Sequence, residues 1–599
     1  IVGKVEDLRV YSGTFNGIDN AGAVAGVNYG TISNVTTFGN VVTAKGSSNS
    51  TEMSGDTADK TVKVGAAGGI AGINAGTIDN ASASDAVTAD DGNGKAILST
   101  AGGIAGINQK TISNSSSDSA VNASAGSTYA LGGIAGVNAG ELSNVDSLGV
   151  TTGIYEVGDY NRDIDTQYSD NVGGIAGRNS GTVSEAYNES IVSGRDNVGG
   201  ILGVNTGASV TDVSNAARVT GEADTSDTSS DKTSDYVGGL VGSNSGSITN
   251  GRNNGEITGN QYVGGLVGEN KAGSTLSNLV NDEAASITGD NYVGGIAGSN
   301  AGDISSQNQK NLVNRGSITG QMYVGGVAGE NIGTIEYVKS DIDLNVRDTS
   351  AEAKYFGGVA GINKDGGTIT NVTNSADVIA INADYVGGIV GWNTEKGILL
   401  GAGNSNEGRV EGNSYVGGVA GLNEAAITGN RDSMIGIKNF GVVIAHQGGA
   451  GGIFGENQGA ITYVEMTNNG IVTGTDGKGT GLNGTGGIFG VNSGIVTYSS
   501  LKNQVDGQVI GTQNVGGLIG VNTGTITGGR DTGDGYYKYQ IYNNGTIQVG
   551  TWTDSDKDGK IGTNEFTAAA GENIGGLFGT NSAEVTAAYN TGAIMAGGS

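Results

Sequence analysis

The densest chemistry in the chain lies in DSDKDGKIGTNE, Asp554 to Glu565. Asp554, Asp556 and Asp558 stand at positions 1, 3 and 5, and Glu565 at position 12. This is D-x-D/N-x-D/N-G-x5-E, the spacing at which a 12-residue loop of the EF-hand type wraps a cation in oxygen. Gly559 at position 6 allows the sharp turn, Lys560 offers its backbone carbonyl at 7, and Gly562 stands where a water commonly intervenes. Glu565 closes the set bidentately, and Ile561 is the apolar residue usual at position 8. Hard oxygen ligands in this pattern point to Ca²⁺. The preceding GTIQVGTWT reads as strand, so a full helix–loop–helix is not expected, although EFTAAAGEN suits a short helix after the loop.

Other chemistry is scarce. His446 is the single histidine and there is no cysteine, so neither a Ser-His-Asp triad with alternatives nor a thiolate or multi-histidine metal site can be assembled. His446 reads as an ordinary loop residue. The glycines carry no G-x-x-x-x-G-K-S/T phosphate loop. Two carboxylate pairs alternate at period two, Asp163 with Asp165 in RDIDTQ and Asp341 with Asp343 in SDIDLNV, which sets each pair on one face. Such pairs suit glycoside chemistry only at a defined separation. They read as a solvated face of an acidic protein, with a polysaccharide-cleaving groove as the alternative.

The elements that must position these residues are written as repeats. The phrase G-G/A-Φ-Φ-G-x-N, with Φ apolar, occurs 17 times, from the copy ending at Asn28 to the copy ending at Asn581. Between Asn270 and Asn423 the spacing is 30 to 32 residues, and elsewhere it runs from 26 to 59. A weaker phrase, N-x-G-x-I/V, recurs at Asn253, Asn314, Asn406, Asn468 and Asn590. Each unit therefore holds about three short segments rich in Ile, Val and Thr, separated by Asn-Gly corners. Such segments suit strands and are too short for helices. The 115 glycines and absent prolines agree, against about 42 and 30 at average usage. Proline lacks the N–H that an inner strand needs.

The expected fold is all-β: a right-handed parallel β-helix with loop insertions, in which residues 1–599 form one rod. Some 17 to 20 coils at about 4.8 Å would make it roughly 80 to 95 Å long. A β-propeller is excluded by unit length and copy number. Equivalent residues then fall above one another. The 17 phrase asparagines should form a hydrogen-bonded ladder, as in cross-β stacks. Tyr236, Tyr262, Tyr292, Tyr323, Tyr355, Tyr385 and Tyr415 should form an aromatic one, with Asn197, Asn514 and Asn573 at the same position in flanking coils. Insertions are read at 47–64, 153–171, 221–235, 337–354, 431–449 and 528–573, the last carrying the calcium loop. Tyr155, Tyr160, Tyr168 and Arg162, and Tyr536, Tyr537, Tyr539, Tyr542 and Trp552, make two of these candidates either for binding or for covering the rod.

The phrase YVGGIAGxNxGxI resembles the GLUG motif, over about residues 22 to 581. GLUG repeats occur in large bacterial surface proteins, including filamentous-haemagglutinin-like adhesins and the non-catalytic part of some immunoglobulin A peptidases. The resemblance implies an extracellular or cell-surface, non-catalytic rod, adhesin-like, with roles in attachment, matrix or biofilm. Its partners would be a cell-surface or matrix glycan or protein, with lateral or end-to-end self-association. A passive spacer of a larger secreted peptidase is a further alternative. The net charge of −29 repels nucleic acid and anionic membrane, and no run of 18 apolar residues spans a bilayer. IVGKVEDLRV carries neither signal peptide nor initiator Met, so a piece processed or excised from a longer protein is expected.

Overall fold

The chain is described by a computed structural model, which covers residues 3–595 apart from 48, 55–60, 91–96, 124–127, 158–164, 169, 208, 223–234, 306–312, 342–343, 346–352, 402, 475–482, 530–538, 556–557 and 562–564. It forms two compact units, Ile1–Gly289 with Ile296–Asp303, and Asp290–Gly295 with Ile304–Ser599. Each is a right-handed parallel β-helix without helices among the described residues.

Three ladders of short parallel strands build the first unit. Ala71–Asn74, Ala105–Asn108, Ala135–Asn138 and Ala176–Asn179 stack in register, each final Asn above the next. Thr77–Ala89 pairs with Thr31–Ala44 on one side and with Thr111–Ser117 and Ala120–Ala123 on the other. Ile97–Gly102 lies between Thr61–Gly68 and Thr128–Gly132. The second unit repeats the scheme. Ala360–Asn363 pairs with Ala328–Asn331 and Val390–Asn393.

The burial pattern explains why the repeat phrase shows no simple alternation. In Thr77–Ala89, Ile78 and Ala81 are both buried and the two residues between them are not. Asn80 has φ 49°, which inserts a corner and resets which side chains point inward. At the glycine pair the chain bends more tightly than a side chain permits. A Cβ on Gly264 would lie 1.9 Å from the carbonyl oxygen of Val267. The next apolar residue of the phrase fills the core. Ile70, Ile104, Ile134, Ile175 and Ile201 are fully buried in the first unit, as are Val359, Ile389, Val419 and Ile453 in the second.

The asparagine ladder forms as expected in both units. From Asn28 to Asn300 each Nδ2 donates to the Oδ1 one coil on, at 2.7 to 3.1 Å. From Asn331 to Asn581 the same bonds measure 2.7 to 2.9 Å. The amides also cap their own corners, as Asn138 does by donating to the Gly140 carbonyl and accepting from the Gly140 N–H.

The weaker N-x-G phrase makes a second buried ladder. Asn188, Asn215, Asn253 and Asn281 are linked at 2.8 Å in the first unit. Asn374, Asn406, Asn439, Asn468, Asn503, Asn543 and Asn590 are linked at 2.7 to 2.9 Å in the second. Strands belonging to the coils correct three insertion boundaries, the first being 337–354, which holds Lys339–Ser340 and Leu344–Asn345. Within 431–449, Ile435–Asn439 and Val443–Ala445 are ordinary coil strands. Within 528–573, so are Ile541–Asn543 and the start of Thr546–Trp552.

Removing one amide leaves its neighbours' buried polar groups without partners. Asn138→Ala, Asn331→Ala and Asn439→Ala should each destabilise the unit that holds them by about 1 to 3 kcal/mol. The denaturant midpoint measures this, and unchanged midpoints in all three would remove the ladders as a source of stability.

Candidate functional site

The acidic loop sits at the tip of a hairpin. Thr546–Trp552 enters it and Phe566–Ala568 leaves it, with Trp552 opposite Phe566 and Gly550 opposite Ala568. The helix expected in EFTAAAGEN is therefore a strand. Its reason is packing: residues opposite one another in an antiparallel pair share a face. Trp552 is buried against Ile444, Ile471 and Ile510 of the coils, with Val442, Ile561 and Phe566 around them. Three β-branched rungs of the solenoid thus make the seat on which the hairpin lies.

Asp554, Asp558 and Glu565 converge, with one carboxylate oxygen of each within 4.8 Å of the others. Asp556 and Gly562, also expected in the site, lie outside the described residues. Gly559 has φ 69°, the left-handed turn that position 6 requires. Its N–H donates to Asp554 Oδ2 at 3.3 Å, the Ser555 N–H to Glu565 Oε1 at 2.7 Å, and the Lys560 N–H to Asp558 Oδ1 at 2.8 Å. The Asp554 side chain is fully buried. Its Oδ2 also accepts from the Arg409 guanidinium, whereas Oδ1 is buried and accepts no hydrogen bond from the described residues. A buried carboxylate oxygen normally has a partner. One without, beside two more carboxylates, fits a hard cation such as Ca²⁺.

Arg409 ties the loop to the coil beneath. Its Nε donates to Glu411 Oε2 at 2.8 Å, and its backbone N–H to Asp377 Oδ1 at 2.9 Å. Glu411 is shared with His446, whose Nε2 lies 2.7 Å from Oε1. Burial alone would raise the Glu411 carboxyl, but the hydrogen bond from His446 and the charge and hydrogen bond of Arg409 outweigh it and hold the group below its ordinary range. Spacing along the chain gave no sign of Arg409 or Glu411, because the contact spans 145 residues.

The tyrosine row is stacked. In the second unit the rings of Tyr292, Tyr323, Tyr355, Tyr385 and Tyr415 follow one another at 4.7 to 5.3 Å between centroids. Trp392 adds to the stack at 5.0 Å from Tyr355. Tyr236 and Tyr262 pair at 5.1 Å in the first unit. All seven have φ between 52° and 66°, and so do Asn197 and Asn573 at the equivalent corner, with Asn514 at 48°. A left-handed residue other than Gly or Asn costs roughly 1 to 2 kcal/mol, and a stacked aromatic pair returns about 0.5 to 1.5. On successive coils the corner carries Asn171 and Asn197, then the tyrosines, then Gly449, Gly484, Asn514 and Asn573. Because ring faces meet ring faces, no face between neighbouring rings is open for a sugar to stack on.

The remaining candidates divide. Asp341 is exposed and its Oδ1 lies 2.7 Å from Lys339 Nζ, while Asp163 and Asp343 lie outside the described residues, as do Tyr160, Arg162, Tyr536 and Tyr537. Asp165, Tyr155 and Tyr168 belong to the antiparallel hairpin Ile154–Val157 with Asp165–Tyr168. Tyr539, Tyr542 and Trp552 are buried, which makes them cover for the coils. No protein-family model matches the chain, and no curated protein sequence matches it above background.

Burial is the largest cause raising the phenols of Tyr292, Tyr323, Tyr355, Tyr385 and Tyr415 above their ordinary value of 10.0. A phenol raised by folding binds its proton more tightly in the folded state, so its contribution is complete below pH 10 and is lost as pH rises above it. The second unit should thus lose stability in alkali as phenolate absorbance appears. Tyr355→Phe should flatten that slope while keeping the stack. An identical alkaline slope in the variant would exclude the row as its cause.

Proposed function

We propose that this chain is a non-catalytic, adhesin-like binding rod of a bacterial cell surface or its extracellular matrix. One observation carries the reading. The repeat signature is used up in holding coils together, as two buried amide ladders, glycine bends and stacked rings, so the conserved chemistry of the unit is architectural. Recognition is left to the outward positions, which differ from coil to coil. The GLUG-like phrase supports the same conclusion, and so does the lack of a second histidine or any cysteine for nucleophilic or metal-assisted catalysis.

Calcium belongs to this reading. Asp554, Asp558 and Glu565, with Asp556 and the Lys560 carbonyl completing the sequence pattern, would hold Ca²⁺. Asp554 Oδ1 is the oxygen free for it, while Arg409 and the Gly559 N–H keep Oδ2 in place. The cation would neutralise the crowded carboxylates and fix the hairpin tip on its seat. Extracellular calcium sites work at dissociation constants of about 10⁻⁴ to 10⁻³ M, which keeps them loaded outside a cell.

Two measurements test these statements. The purified chain should bind cells, glycans or matrix protein and leave them chemically intact. Turnover of a polysaccharide that disappears in Asp163→Ala or Asp341→Ala would replace the adhesion reading with the enzyme. Calorimetry should show calcium uptake by the wild type that Asp554→Ala/Asp558→Ala lacks, and equal uptake by both would place the metal elsewhere.

A further inference from the structure

The first unit carries a concave groove that the calcium loop and the tyrosine row do not touch. Its volume is about 570 Å³, within the range of small-molecule sites. It arises from the corner that resets the strand alternation. Asp7, Asn34, Asn80, Asn114 and Asn144 all have φ between 49° and 55° and stand exposed along its floor. The strand folds inward there, and the outward residues after the corner form a wall. In that wall Arg9, Thr36, Ser82, Ser116 and Asp146 are in register on successive strands. Five coils therefore repeat one arrangement over about 19 Å at the strand spacing.

The floor is amide and the wall is mainly hydroxyl. Asn80 Nδ2 donates to Asn34 Oδ1 at 2.7 Å and Asn144 Nδ2 to Asn114 Oδ1 at 2.8 Å. A side-chain amide has two N–H donors and two acceptor lone pairs. Asn34 and Asn114 also donate, to Asp7 Oδ1 at 3.2 Å and to Asp79 Oδ1 at 2.8 Å, and these bonds leave each of the four amides an N–H and a lone pair for a ligand. Charge in the lining lies at the ends, with Asp7 and Arg9 at one and Asp146 at the other, and between them Asn114 Nδ2 donates to the Asp79 carboxylate at 2.8 Å. An anion would meet carboxylates at both ends and no cluster of cations. An apolar ligand would find only Val35 and Ala81, both buried. A cation would find no converging carboxylates, since among the described residues these gather at the hairpin loop. A ligand bearing neutral hydroxyls, repeated along its length, matches a repeated row of amides and hydroxyls.

We infer that this groove, floored by Asn34, Asn80, Asn114 and Asn144, binds a linear uncharged polysaccharide lying along the stack. The inference rests on the binding-rod reading and names the ligand class for it. Continuations of the wall row provide the variants for testing it. The next residues in register after Asp146 are Tyr187, Ser214 and Arg252, so this row already accepts large side chains. Ser82→Tyr and, separately, Ser116→Tyr should fill the groove without disturbing the coils.

Calorimetry with cellohexaose and maltohexaose as neutral probes, and an oligogalacturonide as the acidic one, decides it. The wild type should bind at least one neutral hexaose and bind the acidic oligomer more weakly. Each tyrosine variant should keep the wild-type unfolding midpoint and lose roughly tenfold or more in affinity, the loss of one or two good hydrogen bonds. Unchanged affinity in a folded variant overturns the assignment, as does equal or tighter binding of the acidic oligomer. A wild type that attaches to cells but binds neither hexaose also overturns it, and leaves the wider binding reading standing. Hexaose binding without attachment to any cell or matrix does the reverse.

Discussion

A side-chain amide bonded to the same amide one coil away is the interaction on which the rest depends. Asn is long enough to reach its own corner backbone and short enough to remain in register with its neighbour. In the fully buried row through Asn363, Nδ2 donates to the next Oδ1 at 2.8 to 2.9 Å. A buried amide without such a partner would destabilise the fold. The cost vanishes only when every coil supplies the same residue at the same height. Strict recurrence of Asn follows from that, and so does tolerance of change elsewhere in the unit.

The same constraint sets the other corners. Stacked coils leave no room for a Cβ where one turn passes over the next, as at Gly239, whose Cβ would stand 2.2 Å from the Gly265 carbonyl. Where the tyrosines stand, the corner has room for a side chain but a left-handed backbone. Asn meets that demand by itself, whereas Tyr meets it when its ring finds another ring above or below. The tyrosines accordingly come as a run, with Asn197 before it and Gly449, Gly484, Asn514 and Asn573 after it.

Function then has to lie outside the repeat signature. The hairpin with Asp554, Asp558 and Glu565 is seated on Ile444, Ile471 and Ile510 and tied down by Arg409. The polar groove uses the outward residues of strands whose inward residues are fixed by the core. In both places the solenoid supplies a rigid base, and residues not constrained by stacking supply the chemistry.

Much of this was legible in the chain itself. Repetition at a spacing near 30 residues dictated the solenoid, because a unit that short cannot bury its apolar face alone. It also marked the first amide row, the glycine bends and the tyrosine stack, since stacking converts position in the repeat directly into position in space. The second amide row shows in the chain only as the N-x-G phrase, and its stacking is a property of the structure. The tertiary structure alone decided where the irregular segments landed. EFTAAA became a strand because Phe566 had Trp552 and an isoleucine seat to join, against its local preference for helix. Arg409 met Asp554 across 145 residues. A groove opened where Thr36, Ser82 and Ser116 stand in one row between Arg9 and Asp146, a row that continues as Tyr187 on the next coil. Periodicity governs contacts between neighbouring equivalents, and these contacts join residues that no period relates.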